Sequence, residues 1–314
     1  MDMLSHEPLR ILLVEDSVGD ALLIGKALAQ AVPHAPNVQK AENLSAALRL
    51  VGEDHFDVML LDLSLPDSSG FSGLLTIQNM APKLPVVILT AYADEELALS
   101  AVEHGAQDYL FKDKTNGPAI KRALDYAIRR KRFEGELITR ANFDPLTGLA
   151  NRPLFESRLD MALARSKRQG TGFGIFFIDL DRFKQVNDTF GHATGDQLLT
   201  HVAQCLKQSV RPYDTAARFG GDEFALLVEG IENPLYCRPI AEKIIQGITT
   251  PPVIRGKPVM IGVSIGIVIA RAHEALMRED LLHRADEAMY QAKTMEGSAY
   301  CFCEGALNAS PAAA

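Results

Sequence analysis

Apolar and polar positions in the first third of the chain fall into two alternating rhythms. Short β-branched and leucine-rich runs alternate with stretches whose apolar residues recur at helical spacing. Arg10–Glu15 (RILLVE), Val38–Ala41, Phe56–Asp62 (FDVMLLD), Pro85–Thr90 (PVVILT) and Gln107–Phe111 predict five strands. Residues 19–31, 44–53, 70–80 and 94–104 predict the helices between them. Strands that are apolar on both faces and alternate with helices predict an α/β domain, with a five-stranded parallel sheet covered on both sides.

A long helical stretch follows, from Pro118 to Ala141. Proline suits a first helical turn. Ile120, Leu124, Ala127, Ile128, Leu137 and Ile138 form an apolar stripe, broken by the polar run RRKRFEGE with Gly135 inside it. This predicts a last domain helix running on into a stalk, with a weak heptad seam in its middle. The basic run Arg129–Arg132 reads as a solvated helix face. Phe143–Arg152 (FDPLTGLANR) then punctuates the chain. Beyond it the pattern predicts a helix over 153–168, a strand over 173–179 and a helix over 194–209. A hairpin follows around Arg218–Val228, then a helix over 234–248, a strand over 259–269, a helix over 278–292 and a strand over 298–302. A hairpin among helices predicts an α+β domain with a mostly antiparallel central sheet. The organisation expected is a first domain over 1–128, a helical linker over 129–142, a second domain over 143–305 and a disordered tail over 306–314.

Composition narrows the class. The 314 residues are 47% hydrophobic and carry a formal net charge of -8, so nucleic acid is not an expected partner. No run is long and apolar enough to span a bilayer, so no membrane insertion is expected. The N-terminus (MDMLSHEPLR) lacks the basic-then-apolar order of a signal peptide. Cys205, Cys237, Cys301 and Cys303 are too sparse for a disulfide scaffold and lack metal-type spacing. These features read as a cytoplasmic protein.

The first domain's chemistry collects at strand ends, where open α/β sheets place their ligands. Glu15 and Asp16 end the first strand, Asp62 the third and Thr90 the fourth, and Lys112 follows the fifth. Acids crowded at one rim call for a cation, and hard oxygen donors favour Mg²⁺. Asp62 is then a nucleophile towards a phosphoryl donor, its charge balanced by the metal and Lys112. The segments LVED (13–16), LDLSLPD (61–67), LTA (89–91) and DYLFK (108–112) resemble the response-regulator receiver family, a flavodoxin-like fold. The resemblance covers about residues 9–130. It implies Asp62 as phosphoacceptor, Glu15 and Asp16 as metal ligands beside it, and Thr90, Tyr109 and Lys112 as readout of the phosphate. It also implies a cognate histidine kinase or phosphotransfer protein, and a homodimer.

Three clusters carry the second domain's chemistry. The apolar strand GIFFID delivers Asp179 to a bend followed by Lys184, Asn187 and Asp188. A glycine-bounded turn, Gly191–Asp196 (GHATGD), opens a helix whose N-terminus suits a nucleotide phosphate. Arg218–Phe224 (RFGGDEF) reads as a tight hairpin turn, in which Gly220 and Gly221 permit positive φ and close backbone approach. Gly-Gly-Asp-Glu alone reads equally as an ordinary acidic hairpin tip.

In this order the clusters resemble the GGDEF family of diguanylate cyclases, over about residues 142–303. FDPLTGLANR and RADEAMYQAK (284–293) add to the match. The resemblance implies condensation of two GTP into cyclic di-GMP with loss of two pyrophosphates, on Mg²⁺ or Mn²⁺. Asp179, Asp222 and the Leu180 carbonyl are the implied metal ligands. Asn187 and Asp196 would read guanine, with His192 in the same segment. Lys184 and Lys293 would neutralise phosphate, and Glu223 would support the metal or position substrate. Either Asp222 or Glu223 is a candidate for assisting removal of the 3′-hydroxyl proton.

The sequence departs from the family pattern after Lys293. Thr294–Ser298 (TMEGS) carries no arginine where the family places a phosphate-binding one, and Glu296 adds negative charge. Arg211 and Asp214 form an R-x-x-D pattern five residues before Gly220. By itself this is a helix-end ion pair. At this spacing it resembles the family's product-inhibition motif. Two other readings stay open: a catalytically weak module that senses GTP or cyclic di-GMP, and a response regulator that signals by protein contact.

Overall fold

The structure is a computed structural model that describes residues 8–31, 36–91, 95–231, 233–271, 274 and 277–303. The tail predicted over 306–314 lies outside the described residues. The chain divides into two compact units, Met1–Ile138 and Thr139–Ala314.

The first unit alternates β1 (Arg10–Val14), α1 (Val18–Ala31), β2 (Asn37–Ala41), α2 (Leu44–Glu53) and β3 (Val58–Asp62). After a two-residue pair, β4 (Ser64–Leu65) and β5 (Ser68–Ser69), come α3 (Ser72–Met80), β6 (Val86–Thr90), α4 (Glu95–Glu103) and β7 (Asp108–Phe111). The main sheet is all parallel in the order β2-β1-β3-β6-β7. Because side chains alternate along a strand, each strand feeds two cores. Ile11 and Leu13 pack with Ile24, Leu28, Ile120 and Leu124, whereas Leu12 and Val14 pack with Leu61, Leu74 and Ile88. Parallel strands all point their carboxyl ends to one rim, which is where the acids lie.

Helix α5 runs unbroken from Gly117 to Asn142 and so spans the division between the units. Gly135 inside it costs about 1 kcal/mol relative to alanine. The ion pairs Arg130–Glu134 and Arg132–Glu136, one turn apart, offset part of that cost.

The second unit continues with β8 (Ala150–Asn151), α6 (Arg152–Gln169), β9 (Phe173–Asp181), α7 (Phe183–Phe190), α8 (His192–Ser209), β10 (Thr215–Gly220) and β11 (Glu223–Glu229). Then come α9 (Cys237–Thr249), the short pair β12 (Val253–Ile254) and β13 (Lys257–Pro258), β14 (Gly262–Ala270), α10 (Arg278–Lys293) and β15 (Ala299–Phe302). Helix α6 shows how local sequence sets the ends. The Asn151 side chain caps it by accepting the Leu154 N–H, Pro153 occupies the first turn, and Gly170 closes it in the left-handed conformation. The sheet order is β15-β14-β9-β11-β10-β8, antiparallel through the centre and parallel at each edge. α8 and α9 cover one face, and α6 and α10 the other. A Cβ at Gly266 on β14 would lie 2.0 Å from the Ala285 carbonyl oxygen, so only glycine lets α10 lie this close to the sheet.

Several features depart from the sequence expectation. The strand predicted over 259–269 forms over Gly262–Ala270, and the short strands β4, β5, β8, β12 and β13 were not expected. The stretch after Asp179 forms a separate helix, α7, and α8 begins at His192 rather than 194. The predicted helix over 234–248 opens with a 3-10 turn, and its α-helical part starts at Cys237. All four cysteines are free thiols.

Candidate functional site

At the rim of the first unit, β1 and β3 are neighbours, so Glu15 and Asp62 come together. Both are buried, and Asp16 beside them is exposed. One carboxylate oxygen from each of Glu15, Asp16 and Asp62 lies within 4.8 Å of the others, an all-oxygen set that fits Mg²⁺. Lys112 reaches in from the end of β7. Its Nζ lies 2.7 Å from Glu15 Oε2 and 2.8 Å from Asp62 Oδ2. Asp20, on the first turn of α1, is a third carboxylate at 3.2 Å, and the sequence reading did not single it out.

Burial alone would lower the Lys112 pKa, but hydrogen bonds to Asp62 and Glu15 outweigh it and hold the ammonium well above its ordinary range. Burial pushes the Glu15 carboxyl up, and Lys112 pulls it partly back. The Ser64 N–H donates to Asp62 Oδ1 at 3.1 Å, which fixes the carboxylate's rotamer. Thr90 is buried at the end of β6. Tyr109 is half-buried, its ring edge-on to Phe111 at 5.4 Å. Asp67 stands back from this group. Its carboxylate accepts the N–H groups of Leu44 and Ser45 and so caps α2.

In the second unit the glycine pair makes the turn between β10 and β11. Gly220 has φ 151° and Gly221 φ 53°, and the ladder shifts register between Arg218 and Gly220. Asp222 and Glu223 follow. Glu223 is in register with Asp179 on β9, and the Leu180 N–H donates to the Asp222 carbonyl at 3.3 Å. The hairpin thus carries its acids to the buried Asp179 carboxylate. Lys293, on the last turn of α10, places Nζ 2.9 Å from Asp179 Oδ2.

Burial pushes the Asp179 carboxyl above the usual carboxylate range. Lys293 lowers it, while the charges of Asp222 and Asp181 add to the rise. Glu223 is raised by burial and by the charges of Asp179, Asp222 and Asp286. These carboxylates repel one another, and the Lys293 ammonium among them offsets part of that charge.

A brace holds the turn. Arg218 donates from Nε (3.1 Å) and Nη2 (2.8 Å) to the Gly221 carbonyl, and from Nη1 (3.2 Å) to Asp144 Oδ1. Burial would raise the Asp144 carboxyl, but hydrogen bonds from Thr147 and the charge of Arg218 hold it below the usual range. The FDPLTGLANR segment, directly after α5, is therefore tied to the acidic turn.

Asn187 lies on α7, and Gly195 and Asp196 lie on α8. A Cβ at Gly195 would stand 2.0 Å from Asn187 Oδ1, so this glycine makes room for the amide between the two helices. Asn187 is half-buried, while Lys184, His192 and Asp196 are exposed. An open cleft of about 880 Å³ adjoins the acids and is lined by Asp179, Asp181, Arg182, Lys293 and Ser298 among others. Asn187, His192, Asp196, Asp222 and Glu223 do not line it; of the acids it takes in Asp179 and Asp181. Arg211 and Asp214 part company. Asp214 is buried, accepting the Arg211 N–H at 2.9 Å and the Glu229 N–H at 3.1 Å. The exposed Arg211 guanidinium donates to the Tyr213 hydroxyl at 2.5 Å.

Comparison with known proteins agrees with this geometry. The family described as diguanylate cyclase, GGDEF domain, matches residues 141–298, and the response regulator receiver domain matches residues 11–124. The bifunctional diguanylate cyclase/cyclic di-GMP phosphodiesterase MucR of Pseudomonas aeruginosa is 43% identical over 179 residues, 57% of this chain and 26% of MucR. The response regulator PleD of Caulobacter vibrioides is 30% identical over 296 residues, 90% of this chain and 63% of PleD. The chain thus spans less than two thirds of either relative's length. The structure of the coiled coil and GGDEF domain of DgcB from Caulobacter crescentus, in complex with c-di-GMP, covers 59% of this chain and 97% of its own. Its TM-score is 0.53 at 28% identity. Among the described residues no helix is long and apolar enough to cross a membrane. With its GGDEF domain behind a receiver domain, the chain belongs to the GGDEF family.

Proposed function

We propose that this chain is a diguanylate cyclase controlled by phosphorylation of Asp62. The observation that carries the reading is the Gly-Gly-Asp-Glu turn, which sets Asp222 and Glu223 against the buried Asp179 with Lys293 at hand. Asp179, Asp222 and the Leu180 carbonyl would hold Mg²⁺ or Mn²⁺. The metal would polarise the α-phosphate and lower the pKa of the attacking 3′-hydroxyl. Lys293 and Lys184 neutralise phosphate charge, and Asn187 and Asp196 take up the guanine edges. The 3′-hydroxyl of one GTP gives up its proton to Asp222 or Glu223 as its oxygen attacks the α-phosphorus of the other, and pyrophosphate leaves. A second transfer in the opposite sense closes the ring.

One such domain has the elements for one GTP, so two chains meet in a homodimer for catalysis. Phosphorylation by a histidine kinase or phosphotransfer protein raises turnover by assembling or realigning that pair through α5. Tethering supplies effective concentrations of about millimolar order. The protein works in the cytoplasm. Incubating the full chain with GTP and Mg²⁺ tests the reading: one cyclic di-GMP is expected for every two pyrophosphates, and its absence from phosphorylated protein stripped of bound nucleotide contradicts it.

Two expected outcomes follow at the edges of the site. Gly195→Ala puts a methyl group on Asn187 Oδ1 and displaces the amide. The KM for GTP should rise about 10–100-fold in steady-state assays, because a shift of about 1 Å at a positioning group costs that much. An unchanged KM would remove Asn187 from guanine recognition. The product, cyclic di-GMP, binds at Arg211 and inhibits, since a guanidinium gives paired contacts to guanine or phosphate. Asp214 shapes that loop through its two backbone hydrogen bonds. A titration in which Arg211→Ala weakens cyclic di-GMP binding about 10-fold or more is expected, and full affinity in the variant counts against the site.

A further inference from the structure

Two cationic side chains, Arg182 and Lys293, line the cleft beside Asp179. The charge of Lys293 is already engaged by Asp179 at 2.9 Å. Arg182 is exposed and forms no ion pair among the described residues. Its neighbour Asp181 also lines the cleft and accepts the Ser264 hydroxyl at 2.8 Å. The segment after Lys293 bends at Gly297 (φ 77°) and contributes Met295, Gly297 and Ser298 to the cleft, none of them a cation.

The backbone of Arg182 is unusual as well. It sits at φ 59°, ψ 27°, a left-handed conformation that side-chain-bearing residues rarely adopt, at the N-cap of α7. Strain of this kind persists where the surroundings enforce it, and it concentrates at functional sites. Here it places Arg182 at the N-terminus of α7, whose dipole favours an anion, and on the lining of the cleft. A triphosphate entering the cleft beside Asp179 and Asp181 brings more negative charge to an acidic site. A guanidinium is the side chain best matched to phosphate oxygens, through paired hydrogen bonds.

We propose that Arg182 grips the polyphosphate tail of GTP, the part that departs as pyrophosphate. This rests on the cyclase reading, and it assigns the β- and γ-phosphates to the Arg182 wall of the cleft. Arg182 thereby distinguishes a nucleoside triphosphate from a monophosphate.

The test is equilibrium binding of a non-hydrolysable GTP analogue and of GMP, with Mg²⁺, to the full-length wild type, Arg182→Gly and Arg182→Lys. Glycine accepts the left-handed conformation without strain, so Arg182→Gly removes the side chain and spares the turn. The expected result is an affinity for the triphosphate about 10-fold lower in Arg182→Gly, partial recovery in Arg182→Lys, and unchanged binding of GMP. Wild-type affinity for the triphosphate in Arg182→Gly overturns the inference, as does an equal loss for both ligands. A wild type that binds no triphosphate overturns the cyclase reading itself, a separate outcome seen before any variant is compared.

Discussion

Asp222→Ala is expected to lower cyclic di-GMP formation by at least about 10²–10³-fold while leaving the fold in place. The Asp222 carbonyl, which accepts the Leu180 N–H, survives the change, and φ at this position is not positive, so alanine fits the turn. What disappears is a carboxylate beside Asp179. Its loss removes a proposed metal ligand and one of the charges that raise the Asp179 carboxyl. Product should fall to background in a chromatographic assay, and the melting temperature should move by no more than about 4 °C, as expected for a change of about 1 kcal/mol in a domain of this size. A variant with wild-type turnover would show that Asp222 does not serve the reaction. A large fall in melting temperature would instead assign the residue to holding the hairpin.

Asp62→Asn should abolish phosphoryl transfer to the first unit. Asparagine keeps the shape of the side chain, and its carbonyl oxygen can still accept the Ser64 N–H. An amide is no phosphoryl acceptor, however, and the change also takes away one of the three carboxylates around Lys112. Wild-type protein treated with an acyl phosphate and Mg²⁺ should gain one phosphoryl group by intact mass, and the variant none. In the wild type, the phosphoryl group adds about -1.5 to -2 charge at the rim. Lys112 is already drawn to that point, Thr90 ends the neighbouring strand β6, and Tyr109 lies within β7 beside it, where they can respond. Undiminished labelling of Asp62→Asn would move the phosphoacceptor to another residue.

The parts of these sites that were legible in the sequence are those that lie at the ends of strongly apolar runs. Glu15, Asp62, Thr90 and Lys112 each follow such a run, and the all-parallel order of the sheet brings them to one rim. Asp20 was not legible, because it sits on the polar side of a helix and meets Lys112 across 92 positions of chain. Asp144 and Arg218 are 74 positions apart, and no local pattern announces their pairing.

Helix α7 was hidden for a different reason. Its eight residues, FKQVNDTF, bury only Phe183 and Val186, too few for a helical rhythm to stand out. The close approach of α7 and α8 at Gly195 follows from that helix and was hidden with it. Arg182 reads as one basic residue among many, and its left-handed backbone is a property of the folded turn alone. Asp214 was legible as a motif residue, but its burial and its hydrogen bonds from the Arg211 and Glu229 N–H groups were not.

The central claim is that one chain couples the Asp62 rim to the Asp222 turn. The most direct measurement is the rate of cyclic di-GMP formation from GTP and Mg²⁺ by the full chain, with and without an acyl phosphate, over a range of protein concentrations, for wild type and Asp62→Asn. The account predicts a wild-type rate per chain that rises on phosphorylation, most steeply at low concentration where pairing is limiting, and an Asp62→Asn rate that does not respond. Equal wild-type rates with and without the acyl phosphate, at every concentration, would contradict it.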